Sequence, residues 1–496
     1  MKSNLLRIYA LGLLTTFSAC KKWVDVQPND RLLEDQVFSD PDNVRAALNG
    51  IYSNVAKPEF YGRTMTFTAV DALAQLHSGA QLNVAGSPEA TTTGTPAKPY
   101  TDYSFRDPAL MDGMSRLWSQ AYRTVLNINL FLTNLDKYPG VVPQQEEKLY
   151  RGEVYALRAM IHFDLLRLFG PVYVTDSAAV SIPYYTKAQP GVMARIPATQ
   201  VMDSVMRDLS QALELLAADP ILTEGKMDRT GNDGLDYSRM RNLKMNYYAV
   251  KALEARMLLY RNNKAAAYAA ATALIPQLEK EFPWFDPVKG RSPVDRCFSS
   301  EVIFALNIPN LYDWSRDLFS GATRRDAMFT PNSARLNSTY ENNLLTDYRF
   351  ASSLVYGWWE VPGGGDIAFK TMRKYNNPDG DQVQFRYRMP MLRKSELYYI
   401  AAETAPNDTE GFDWLNQVRS HRGLTVAPNT TVLAQEIQKE YAKEFYGEGQ
   451  LFFYYKRTNT GRILKGSTTG TTSSNYQAMT PAQYVMPIPD AEIIYQ

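Results

Sequence analysis

The stretch Gly152–Val174, GEVYALRAMIHFDLLRLFGPVYV, decides how the rest of the chain is read. Val154, Leu157, Ile161, Leu165 and Leu168 fall at three- and four-residue steps, the spacing that lines one face of an α-helix. Gly170-Pro171 stops it, because proline brings no amide hydrogen to the next turn. The helix so defined begins near Gln145. Just before it, Met111–Leu135 carries the same period through Met114, Leu117, Trp118, Ala121, Val125, Ile128, Leu132 and Leu135. Two such helices joined by a short turn predict an antiparallel hairpin.

Pairing recurs downstream. Thr199 is placed to cap Val201–Leu216, and Leu243–Tyr260 runs into Lys264–Lys280 after the turn Arg261-Asn262-Asn263, with Pro276 expected to kink or end that helix. Three late segments are also helical: Lys394–Ala405, Gly411–Ser420 and Val432–Tyr446. Alanine-rich helices joined by short turns predict a mainly α fold, a tetratricopeptide-like repeat scaffold over about residues 111–280 and 390–447. Between them, residues 281–388 change texture to Pro, Gly, Asn and scattered aromatics, with few short strands such as Glu301–Ile308 and a glycine-rich Pro362–Asp366. Ordering a long irregular insert costs entropy that the core must offset, so this insert is the first place to expect a ligand.

The N-terminus has three parts. Lys2 and Arg7 are basic, Ile8–Phe17 is apolar but only half as long as a membrane span, and Ser18-Ala19 are the small residues a signal peptidase needs. Residues 1–19 therefore read as a lipoprotein signal peptide, with Cys20 as the lipid-attachment residue at the head of a single domain, 20–496. An ordinary secretory signal with an incidental cysteine is the alternative. Acylated Cys20 would leave Cys297 alone, so no disulfide is expected within the chain.

Charge is balanced, 53 basic against 52 acidic residues, which argues against nucleic acid as a partner. Aromatic content is 12%, with 32 tyrosines, a supply of flat faces that also tolerate water. No His-Glu-x-x-His, Gly-x-Ser-x-Gly or helix-opening phosphate loop occurs. His77, His162 and His421 lack metal-ligand spacing, and His162 reads as structural. Asn376–Asp381, NNPDGD, is a fragment of a calcium loop without its distal Glu and reads as a plain turn. No cofactor or metal is expected. A surface glycosidase stays open, because catalytic carboxylates pair in space and 52 acids offer many pairs.

Trp118 and Trp414 lie on helical stripes and read as core. Tyr312, Trp314, Tyr356, Trp358 and Trp359 sit instead in the insert among Asp313, Arg316 and Glu360. A sugar ring stacks its C–H face on an aromatic and offers its hydroxyls to carboxylates, amides and Arg. Tyr312, Trp314, Trp358 and Trp359 are thus the ligand-binding candidates, though in an extended chain adjacent tryptophans face opposite ways, which buries one of the pair. The N-terminal loops around Tyr61, His77, Tyr100 and Tyr103 are the second place to look.

Five landmarks, in order, resemble the SusD/RagB family of outer-membrane nutrient-binding lipoproteins. Trp23–Val55 is similar to that family's opening, which ends in an AL-x-G-x-Y helix. Gly152–Val174 resembles its Ala-Leu-Arg helix closed by Gly-Pro. Arg388–Ala405 resembles its Arg-x-x-Glu helix, Leu415–Leu424 its Leu-Asn-x-Val-Arg segment, and Pro487–Ile493 its closing Pro-Ile-Pro. Phe445–Gly461 departs from the pattern, with Gln450, Phe453 and Tyr454 where the family has Arg-x-x-Asp-Leu. The resemblance implies four tetratricopeptide-like units decorated by loops and no catalysis. It further implies a surface lipoprotein that caps a SusC-like TonB-dependent transporter as a lid, delivering oligosaccharides or, in some members, peptides.

Overall fold

The computed structural model describes residues 35–89, 94–189, 191–226, 237–363, 367–376, 386–468 and 473–493. The signal segment, Cys20, the tail of the glycine-rich Pro362–Asp366 and most of NNPDGD lie outside the described residues.

Helix α1 (Pro41–Val55) is capped by Asp40, whose side chain accepts from the amides of Asp42 and Asn43. Then come α2 (Pro108–Lys137) and α3 (Gln144–Phe169), the short antiparallel pair β1 (Val180–Ile182) and β2 (Ile196–Pro197), α4 (Ala198–Leu215), α5 (Tyr247–Tyr260) and α6 (Lys264–Leu278). Along the chain α1 packs on α2, α2 on α3, α3 on α4, and α5 on α6. Thr199 does not cap α4: the helix starts one residue earlier, behind Pro197, and makes no side-chain cap bond. Pro276 lies inside α6, two residues before its end.

Helix α3 is more central than its stripe predicts. Beyond the five apolar positions, Glu153, Arg158, His162, Asp164 and Arg167 are buried as well. Each has a partner that enters from another segment or the next turn, because a buried charge left alone is costly. Glu153 takes Arg241 at 2.6 Å, Arg158 forks onto Asp208 at 2.7 Å, and Asp164 holds Arg167 at 2.5 Å. His162 is engaged at both ring nitrogens, by the Arg158 carbonyl at 2.9 Å and the Tyr185 amide at 3.2 Å; burial pushes its pKa down to about 4.

The insert holds β3 (Val302–Asn307), α7 (Leu311–Phe319), α8 (Ser333–Thr339), β4 (Trp359–Glu360), β5 (Thr371–Met372) and β6 (Arg388–Arg393). Strands β3 and β6 pair antiparallel from Val302↔Arg393 to Asn307↔Arg388, so the two ends of the insert are zipped together. The scaffold resumes with α9 (Lys394–Thr404), α10 (Asp408–Ser420), α11 (Leu433–Glu444) and α12 (Leu451–Arg457), followed by the hairpin β7 (Arg462–Leu464) with β8 (Tyr476–Ala478).

Buried charge welds the insert to α11 and to the segment that follows α10. Arg349 donates to Asp347, Glu440 and Glu444 at 2.8–3.1 Å, and Arg422 forks onto Glu444 and Glu301. Burial alone would raise the Glu440 pKa, but Lys443, Arg349 and Arg419 outweigh it and hold the carboxyl down to about 2. Among the described residues no helix is long and apolar enough to cross a membrane.

Candidate functional site

An open cleft of about 870 Å³ lies between the N-terminal turns and α7. One wall is the turn Pro58–Gly62 and the residues after it, where the Gly62 and Thr64 amides bond back to the carbonyls of Lys57 and Pro58. Gly62 is needed there, since a Cβ would stand 2.5 Å from the Ala56 carbonyl oxygen and 2.7 Å from the Trp314 ring. A second wall is Thr95–Tyr100 with the start of α2, where Tyr100 lies across Gly113. The third is Asp317 and Leu318 of α7, with Asp326 and Phe329.

Arg63 is the distinctive group in this cleft. Its carbonyl accepts from the amides and hydroxyls of both Thr66 and Thr68, which fixes the backbone. Its half-buried guanidinium makes no hydrogen bond or ion pair with any described residue. Burial lowers the Arg63 pKa, against the field of Asp317 and Glu59, and the guanidinium stays charged at any physiological pH. Other cleft carboxylates are already engaged: Asp107 caps α2 through the Ala109 amide at 2.8 Å, Asp317 pairs with Arg316 at 3.3 Å, and Asp326 pairs with Arg324. Burial pushes the Tyr100 pKa up to about 12, with Asp112 and Asp107 adding to it, so its hydroxyl remains a neutral donor.

The predicted aromatics separate into two groups. Tyr312 and Trp314 lie on α7, a regular amphipathic helix rather than an irregular loop, and both are half-buried. Trp314 and Asp317, three residues apart, share a face. That face meets the Pro58–Gly62 turn and the cleft. Tyr312 looks elsewhere, into a small recess beside Cys297. Trp358 and Trp359 require a correction, because each is 1% exposed. Trp358 lies under the Lys374 ammonium, 3.7 Å from its ring centroid, and Trp359 donates to the Tyr340 hydroxyl at 3.2 Å. The strand pair β4–β5 folds both inward against the scaffold, so neither has a face to give a ligand. Tyr356 is buried too.

Of the N-terminal candidates, only Tyr100 reaches the cleft. Tyr61 donates to Asp164 at 2.6 Å and Tyr103 to the Leu73 carbonyl at 2.7 Å. His77 bonds the Phe67 carbonyl, and burial pushes its pKa down to about 3. Sequence reasoning missed Glu59, Arg63, Asp107, Arg116 and Asp326. They have no common motif, since the cleft joins segments more than 200 positions apart.

Two family models match the chain: one described as "Starch-binding associating with outer membrane" over residues 22–224, and one described as "SusD family" over residues 330–495. SusD-like protein P38 of Formosa agariphila is 22% identical over 94% of this chain and 92% of its own length. SusD-like protein P25 of the same organism is 22% identical over 86% of this chain and 83% of its own. A SusD superfamily protein from Bacteroides thetaiotaomicron superposes with a TM-score of 0.68 at 22% identity, covering 92% of this chain and 98% of that one. A SusD-like carbohydrate binding protein from Bacteroides vulgatus gives 0.66 at 19% identity, and a laminarin binding SusD-like protein 0.60 at 18%, each over 92% of this chain and 96% and 97% of its own. Two models of one family span both ends of the described scaffold, and the fold agrees over nearly the whole length: the chain belongs to the SusD/RagB family.

Proposed function

We propose that this protein is a non-catalytic, lipid-anchored receptor at the outer-membrane surface that binds oligosaccharide in the Arg63 cleft and passes it to a partner TonB-dependent transporter, for which it acts as a lid. The observation that carries the binding role is the Arg63 guanidinium, held partly out of water with no hydrogen-bond or ion-pair partner among the described residues. Its desolvation cost is already met in the free protein, so a ligand hydroxyl that accepts from it gains a charge-assisted hydrogen bond cheaply. Trp314, packed against Gly62 next to Arg63, adds a stacking face, and Glu59, with Asp317 held by Arg316 at 3.3 Å, adds acceptors for sugar hydroxyls. Relatives whose names describe carbohydrate or laminarin binding have the same fold.

Arg63→Met tests it. A hydrogen bond to a charged group is worth about 1.5–3 kcal/mol, so calorimetry with a binding oligosaccharide should show affinity falling by at least about tenfold. The melting temperature should hold or rise, because the lost group bonded nothing. Unchanged affinity would take the saccharide out of the Arg63 cleft, and binding of oligopeptides in place of saccharides would move the reading to the peptide alternative.

The anchor and the partner are tested together. Cys20→Ala should leave a folded protein that no longer sediments with membranes, because two or three acyl chains give stable attachment. Mild detergent extraction of the unaltered protein should co-purify a TonB-dependent transporter through an interface of order 2,000 Å² or more. A variant that still sediments in high salt, or recovery of this chain alone, contradicts the assignment.

A further inference from the structure

A second hollow, of about 450 Å³, opens on the other side of the segment 94–102 that walls the cleft, and Gly94 lines both. Along this segment Thr95, Pro96, Pro99 and Tyr100 line the cleft, whereas Lys98, Thr101 and Asp102 line the hollow. The hollow is built on Gln75, which is 2% exposed and holds a left-handed backbone at φ 58°. Its amide nitrogen donates to the Thr101 carbonyl at 2.6 Å and its amide oxygen accepts from the Gly466 amide at 3.1 Å, stapling two walls together. The side toward Gly79 and Gly94 is bare backbone. A Cβ would stand 2.3 Å from Thr101 Oγ1 at the first and 2.3 Å from Lys98 Cδ at the second.

The two compartments differ in the charges that line them. The cleft sets Arg63 and Arg116 against Glu59, Asp107, Asp317 and Asp326, two cations to four carboxylates. The hollow sets Lys98 and Lys465 against Asp102 alone, two cations to one. Lys98 pairs with Asp102, which leaves Lys465, half-buried, with only the Ser474 carbonyl at 3.2 Å and no carboxylate among the described residues. An uncompensated ammonium in a concave polar wall focuses positive potential there.

We propose that the hollow is a second subsite, which takes an anionic substituent, a carboxylate or a sulfate ester, of a glycan whose neutral portion lies in the cleft. The inference rests on the oligosaccharide reading of the cleft. Gly94 is the saddle over which such a chain passes, with Lys465 and Lys98 as the donors at its far side. In the cleft, Arg63 is set beside Glu59 and Asp317, whereas Lys465 faces no carboxylate among the described residues, so the hollow is the better seat for the charged group.

The test is calorimetry on the mature protein with three oligosaccharides of equal length and linkage: neutral, uronate-bearing and sulfate-bearing. At low salt one or both acidic ligands should bind about tenfold tighter than the neutral one, the worth of a single charge-assisted hydrogen bond. The larger gain identifies the substituent. The ratio should shrink as salt rises, fall toward one in Lys465→Met, and return in Lys465→Arg. A ratio near one in the parent protein, with the neutral ligand bound, overturns this inference and leaves the cleft reading standing. So does a preference that survives Lys465→Met. Failure of every saccharide to bind overturns both.

Discussion

Glu448→Ala is expected to cost about 3–5 kcal/mol of stability, because it strips two buried cations of their shared carboxylate. Glu448 accepts from Arg393 at 2.5–2.8 Å and from the Lys374 ammonium at 2.6 Å, and all three side chains are within 3% of full burial. The geometry around it leaves little room for water to enter and compensate. Asp71 accepts from the Gly447 and Gly449 amides on either side, at 2.7 and 3.1 Å, and a Cβ on Gly449 would stand 1.9 Å from the Met65 carbonyl oxygen. Segment 445–450 thus clamps three parts of the chain: the N-terminal turn near Asp71, the insert through Lys374, and β6 through Arg393. Chemical denaturation of Glu448→Ala beside Glu448→Ala/Arg393→Met measures it. Removing both charges should recover part of the loss, since an apolar replacement of a buried pair is often neutral. A single variant within about 1 kcal/mol of the parent would show that the three groups are not coupled in this way.

This clamp also marks where sequence reading stopped. The helices of the scaffold were legible because each buries a face at a fixed local spacing: the stripes from Met114 and from Val154 place helices at Met111–Leu135 and from about Gln145 to Leu168, within three residues of the ends of α2 and α3. Helix α7 was not, since its nine residues sit among Pro, Gly and Asn and its buried face is only Leu311, Ser315, Leu318 and Phe319. The Glu448 cluster and the Arg349–Glu444–Arg422 network were invisible for a different reason. Their partners are 22 to 121 positions apart, and nothing local distinguishes a buried Arg from a solvated one. The cleft has the same character. Tyr100 and Trp314 could be named as aromatics in suggestive company, but Arg63 acquires its meaning only when α7 closes over Gly62 and leaves the guanidinium without a partner among the described residues.

Among the tryptophans of the insert the expected effects divide sharply. Trp358→Ala and Trp359→Ala should each lower stability by about 3–5 kcal/mol, the cost of emptying a closed aromatic site. Trp358 is packed 5.4 Å from Phe298 and roofed by Lys374, whose ammonium is itself held by Glu448. Its indole N–H has no hydrogen-bond partner, so the loss is one of volume and of the contact with Lys374. Trp359 adds a hydrogen bond to Tyr340 and an edge contact with Tyr446 at 4.7 Å. Trp314→Ala should behave otherwise. Part of that ring is already in water, so the denaturation midpoint should move far less, while oligosaccharide affinity falls with loss of the aromatic face against Gly62. Denaturation curves beside calorimetry on the three variants decide it. If Trp358→Ala and Trp359→Ala fold as firmly as the parent, the inward folding of β4 and β5 is wrong. If Trp314→Ala binds as the parent does, the stacking face of the cleft belongs to Tyr100 instead, and Tyr100→Ala becomes the variant that must lose the ligand.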